Sequence, residues 1–133
     1  GGAAAAAAAP APEPPLGRCS LVGTWDDFRA KHEMAWDGRD YRGLVQVRAA
    51  ETEESFQVLV GDGWWDSRVY PSVEDAGPYK AHKVLGPDGG GHGKNWTIGR
   101  DRREGCQGAA QYEVSMRVSG ERVITVTWEK RTA

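Results

Sequence analysis

Two adjacent tryptophans, Trp64-Trp65, follow directly on Asp62-Gly63. Neighbouring residues of an extended chain point to opposite faces, so both rings cannot enter one core. One of them, Trp65 or Trp64, is expected at the surface. An exposed indole is a flat apolar plate on which the C–H face of a pyranose ring can stack, with a few polar groups left to hold the hydroxyls. The competing use is structural: the ring packs under the long stretch between Pro71 and Lys94. Trp36, in Trp36-Asp37-Gly38, also falls in a turn and is a further aromatic candidate. Trp128 runs in phase with Ile124 and Val126 and reads as core, and Trp25 reads as core or its edge.

Other chemistries lack their residue sets. No Gly-x-Ser-x-Gly is present, and neither cysteine stands in a nucleophile frame. The carboxylates Asp26-Asp27, Glu51 and Glu53-Glu54 read as solvated turns, not as paired acids for glycoside cleavage. The Gly89 to Gly93 run lacks the Lys-Ser/Thr ending and following helix of a nucleotide loop. Cys19 and Cys106 cannot complete a four-ligand zinc site, and His32, His82 and His92 fit no ligand spacing. Those cysteines can pair as one disulfide or stay two free thiols, and the reading favours the thiols. No enzyme activity, metal or cofactor is expected. Asn95-Trp96-Thr97 matches a glycosylation acceptor, relevant only in a secreted protein. Arg100-Asp101-Arg102-Arg103 reads as an exposed turn able to meet an acidic partner surface.

These residues need a scaffold, and strand signals dominate. Arg18–Val22, Leu44–Arg48, Ser55–Val60, Asp66–Tyr70, Gln111–Val118 and Val123–Trp128 alternate or run apolar, with a further short strand at Asn95–Ile98. The Gly61-Asp62-Gly63 and Ser119-Gly120-Glu121 turns make two hairpins of the runs they join. Asp26 to Met34 has helical spacing but is too short and polar for more than a turn. Short strands without alternating helices predict an all-β fold, an antiparallel sandwich, with a closed barrel as the alternative. A long irregular insertion spans residues 71–94, where specific function is expected. Phe56, Val58, Val114, Met116, Ile124, Val126 and Trp128 are the expected core.

The chain has 133 residues, enough for one domain. Residues 1–17 are an Ala/Pro-rich tail or linker, expected to lie along a partner chain, and 18–133 form the sandwich. Seventeen Lys and Arg against nineteen Asp and Glu leave a net charge of −2. That balance argues against nucleic-acid and polybasic membrane partners. No apolar run is long enough for a transmembrane segment. The chain opens on Gly1-Gly2, which reads as a processed form or fragment. With its Ala/Gly/Arg bias, this would suit a chloroplast or other organelle protein attached to a photosynthetic complex.

A family likeness lies in Leu21-Val22-Gly23-Thr24-Trp25-Asp26-Asp27-Phe28, then Met34, Gly38 and Tyr41, then Phe56-Gln57-Val58-Leu59-Val60, Asp62-Gly63-Trp64-Trp65 and Val69-Tyr70-Pro71. The order resembles the immunoglobulin-like starch- and glycogen-binding modules, such as the glycogen-binding module of AMP-activated kinase β subunits. The resemblance covers about half of the body. It implies an immunoglobulin-like sandwich that binds α-glucan or another polysaccharide weakly and without catalysis. It places the sugar platform on Trp65 and on Phe28, where the family carries a Trp. The 71–94 insertion is also unlike the family. The alternative is an accessory subunit of a larger assembly, contacting other subunits through residues 1–17 and the 71–94 loop.

Overall fold

The computed structural model describes residues 13–131. The strands in chain order are β1 (Cys19–Gly23), β2 (His32–Glu33), β3 (Ala35–Trp36), β4 (Asp40–Gln46), β5 (Glu54–Val60), β6 (Arg68–Pro71), β7 (Val84–Asp88), β8 (Trp96–Ile98), β9 (Gln111–Ser119) and β10 (Arg122–Lys130). Two single 3-10 turns, Thr24–Asp26 and Arg102–Glu104, are the only helical segments among the described residues. The strands form two antiparallel sheets. One runs β2-β1-β5-β6-β7, and the other β10-β9-β4-β3. β5 is shared on its second edge: Val58 and Leu59 pair with β6, while Glu54 to Phe56 pair with β8.

The expected all-β sandwich is the observed architecture, and its core lies between the sheets. Leu21, Phe56, Val58, Val69 and Trp96 face Tyr41, Val45, Val114, Met116 and Trp128 in one buried cluster. Phe56 stacks on Trp96 at 5.7 Å and meets Trp128 edge-on at 5.7 Å. Each large aromatic pair adds directional attraction to the area it buries.

Three expectations need correction. Ile124 is 44% exposed, not core. A bulge between Val123 and Thr125 breaks the two-residue alternation, so Val123, Val126 and Trp128 point inward and Ile124 does not. The 71–94 stretch is not irregular throughout. Residues 84–88 form β7 on β6, with Tyr70 opposite Leu85. Glu54 is not in a solvated turn but is 1% exposed.

The expected tail lies mostly outside the described residues. Its end belongs to the domain: Leu16 packs against the core, its N–H donating to the Tyr41 hydroxyl at 3.0 Å. That hydroxyl donates in turn to Gly17 O at 2.8 Å. Cys19 and Cys106 are free thiols. Burial pushes the Cys19 thiol up to about 11, against the opposing effect of Tyr41. A thiol so protonated is a poor nucleophile.

A cleft on the outer face of the first sheet

The first sheet is covered on both faces. Phe56 and Val58 belong to the inter-sheet cluster, so the alternating residues Ser55, Gln57 and Leu59 point outward. Leu59 and Val22 are nevertheless fully buried, and Gln57 is 2% exposed. Three segments flank this outer layer: the turn after β1, the β5–β6 turn, and residues 88–95.

The first turn presents Phe28. Gly23 is extended, and a side chain there would run into the Trp25 ring and the Ser55 carbonyl. Thr24 Oγ1 donates to Glu54 Oε1 at 2.7 Å and accepts from the Ser55 N–H at 2.9 Å. Asp27 and Phe28 then both take left-handed backbone, with φ of 57° and 58°. The Phe28 N–H closes the turn on Gly23 O at 2.8 Å. Burial works against the Glu54 charge. The bonds from the Arg48 side chain, the Arg48 N–H and Thr24 outweigh it, and the carboxyl lies below its ordinary value.

The second turn presents the tryptophans. Asp66 Oδ1 accepts from the Trp64 N–H at 3.2 Å and from the Ser67 hydroxyl at 3.3 Å. Trp64 and Trp65 lie 5.4 Å apart, tilted by 53°. Trp65 is 42% exposed, and its ring centroid is 6.2 Å from that of Phe28. Lys31 Nζ sits over Trp64 at 5.3 Å, and the Arg68 guanidinium over Trp65 at 5.0 Å.

The third segment is fixed by backbone. Gln57 Nε2 donates to Gly91 O at 2.8 Å and Lys94 O at 2.9 Å. The Tyr70 hydroxyl donates to Asp88 at 2.8 Å, which together with burial raises its pKa. Gly91 lies flat on the Tyr70 ring with φ of 79°, where a side chain would collide with that ring. The glycine run is thus needed for close approach, a purpose its composition alone does not disclose.

The three segments enclose an open cleft of about 420 Å³, lined by Phe28, Gln57, Trp65, Arg68, His92 and Asn95. That volume is within the range of small-ligand sites. Its character is two aromatic plates plus amide, guanidinium and imidazole groups. The structure therefore brings Trp65 and Phe28 together, with Trp64 beside them. It does not bring Trp36, which ends β3 on the other sheet and packs on Tyr41 at 4.9 Å. Sequence reasoning missed Gln57, Arg68, His92 and Asn95. Gln57 was findable as the polar outward member of the Phe56-Gln57-Val58 alternation.

Elsewhere, Arg100 pairs with Glu53 and Asp75, and Arg103 with Asp101, so these arginines of the expected acidic-partner turn are neutralised within the domain. Asn95 borders the cleft, while Trp96 and Thr97 of the same tripeptide are buried. Among the described residues, no three His, Cys, Asp or Glu side chains gather as a metal site. No helix there is long and apolar enough to cross a membrane. Comparison of the chain with protein-family models, curated proteins and solved structures returns no match.

Proposed function

We propose that the chain is a non-catalytic carbohydrate-binding module whose platform is the Trp65–Phe28 cleft and whose ligand class is α-glucan. The observation that supports this most is the half-exposed Trp65 ring facing Phe28 at 6.2 Å within an open cleft bordered by polar side chains. Stacking on each ring adds on the order of 1 kcal/mol beyond buried area. A few hydrogen bonds to hydroxyls bring the total to about −4 kcal/mol, a millimolar affinity. Titration with maltoheptaose tests the reading: tryptophan fluorescence changes, and Trp65→Ala abolishes the change. No response at about 10 mM sugar refutes it.

The second reading, an accessory subunit of an assembly, is favoured by a different observation. A groove between residues 77–84 and the edge strand β10 carries exposed Tyr79 and Ile124. Under this reading the protein elutes from extract of its source well above its 14.5 kDa mass, and Ile124→Lys returns it to monomer size.

A further inference from the structure

The cleft carries an unbalanced cation. Among the described residues, the half-buried Arg42 pairs with Asp37 and Glu113, and Arg48, Arg100 and Arg117 also have carboxylate partners. Arg68 is half-buried and has none. Its Nε donates to Trp65 O at 3.0 Å, and its plane lies over the Trp65 ring at 5.0 Å. Both contacts hold the guanidinium in place without neutralising it. The Nη groups have no hydrogen-bond partner among the described residues. Asp88 stands opposite Arg68 in the β6–β7 ladder but forms no ion pair with it, and its Oδ1 accepts from the Tyr70 hydroxyl at 2.8 Å and the Gly90 N–H at 2.7 Å. In a chain with more carboxylates than cations, this vacancy does not follow from composition. No Asp or Glu lines the cleft, and the His92 imidazole stands on its wall.

A fixed, unpaired guanidinium beside a stacking surface suits an anion carried on a ring, because its paired N–H groups match phosphate and carboxylate oxygens. We propose that the cleft selects saccharides bearing an anionic substituent, a phosphate monoester or a uronate carboxylate, with Arg68 as the anion's partner. The proposal rests on the carbohydrate reading above. Arg68 sets ligand choice, and Trp65 and Phe28 supply the stacking common to all sugars.

The test is calorimetric titration of the full chain at about 50 mM salt with three saccharides, maltoheptaose, maltoheptaose phosphorylated at a 6-hydroxyl and heptagalacturonate, and with adenosine monophosphate as a phosphate that is not a saccharide chain. At least one anionic ligand binds about tenfold tighter or more than the neutral one, as expected of a charge-assisted bond. The advantage shrinks at about 500 mM salt. Arg68→Gln removes the advantage, so that within this variant the anionic ligands bind no tighter than maltoheptaose. Arg68→Lys, which keeps the charge but not the fork, retains part of it. Which anionic ligand gains shows whether phosphate or carboxylate is recognised. Equal affinity for all three saccharides, insensitive to Arg68→Gln but lost in Trp65→Ala, overturns the anion selection while the carbohydrate reading stands. No binding of any sugar overturns both. Tighter binding of adenosine monophosphate than of every sugar overturns the saccharide and keeps only the anion contact. A thermal melt of each variant confirms that it is folded.

Discussion

The ring of Phe28 stands 6.2 Å from the ring of Trp65, and two separate turns on one sheet deliver them. Each turn is rooted in the sheet beneath it. Thr24 ties the first to Glu54 and Ser55 at the start of β5. The Ser67 carbonyl accepts from the Val60 N–H at 3.0 Å and ties the second to the end of the same strand. β5 therefore sets the spacing of the two plates, and changes in either turn are expected to act on the cleft before they act on the core.

Backbone strain at Phe28 gives the first prediction. A residue with a Cβ in left-handed backbone is disfavoured by about 1–2 kcal/mol, and glycine is not. Phe28 is held there at φ of 58°. Phe28→Gly is expected to be more stable than Phe28→Ala by about 1 kcal/mol in urea titration, although both lose the ring. The reverse order would show that the turn relaxes once the ring is gone.

The second prediction sets the core against the bulge. Phe56→Ala empties the space between Trp96 and Trp128 and is expected to cost about 3–5 kcal/mol. Ile124→Thr keeps the β-branch at an exposed position and is expected to stay within about 0.5 kcal/mol of the parent. A large loss for Ile124→Thr would place that side chain inside.

Ile124 also marks what was legible. The Val123–Trp128 run alternates in sequence as if unbroken, and a bulge changes the phase without changing the composition. The strand Cys19–Gly23 was legible as a short apolar run closed by a glycine, and Glu54–Val60 and Gln111–Ser119 were legible because their apolar alternation reports burial directly. β7 was not, since Val84-Leu85-Gly86-Pro87-Asp88 is mostly exposed and held by pairing with β6. In the cleft, Trp65 was legible as a ring following the Asp62-Gly63 turn, although the strand rule behind that reading does not apply: both tryptophans lie in the β5–β6 turn with their rings 5.4 Å apart. Arg68 was not, because nothing local distinguishes an unpaired cation from the paired ones, and His92 was not, because its place beside the cleft is set by the fold of the glycine run around it. Trp36 looked like a surface ring in its turn, and packing on Tyr41 takes it to the other sheet.

Acid sensitivity follows from Glu54. The folded carboxyl titrates below its ordinary value of 4.5, so the unfolded chain binds the proton more readily. The stability this group contributes is complete above about 4.5 and is lost as pH falls through the folded value. Thermal melts between about pH 7 and 3 are expected to show this loss, with a shallower acid slope in Glu54→Gln. The variant is also expected to be less stable at neutral pH by about 1–3 kcal/mol, since Arg48 and Thr24 lose a charged partner. Parallel acid slopes for parent and variant would mean other carboxyls govern the transition.

Gly91 offers a way to open the cleft without touching its lining. Alanine there meets two obstacles at once: a φ of 79° and a Tyr70 ring already in the space its Cβ would take. The Tyr70 ring is held in its buried place by the bond to Asp88 of β7, so residues 89–95 are the part expected to yield. Lifting it separates Gly91 O and Lys94 O from Gln57 Nε2, leaving a buried amide without partners. That loss is expected to cost about 1–3 kcal/mol, well short of unfolding a domain whose core is elsewhere. His92 and Asn95 move with the segment, whereas Phe28, Trp65 and Arg68 stay on their own turns and strand. Gly91→Ala is therefore expected to weaken sugar binding several-fold, keep the fluorescence response of Trp65, and raise amide exchange within residues 89–95 alone. Unchanged affinity together with raised exchange would show that the two turns suffice as the platform and that the third wall takes no part in binding.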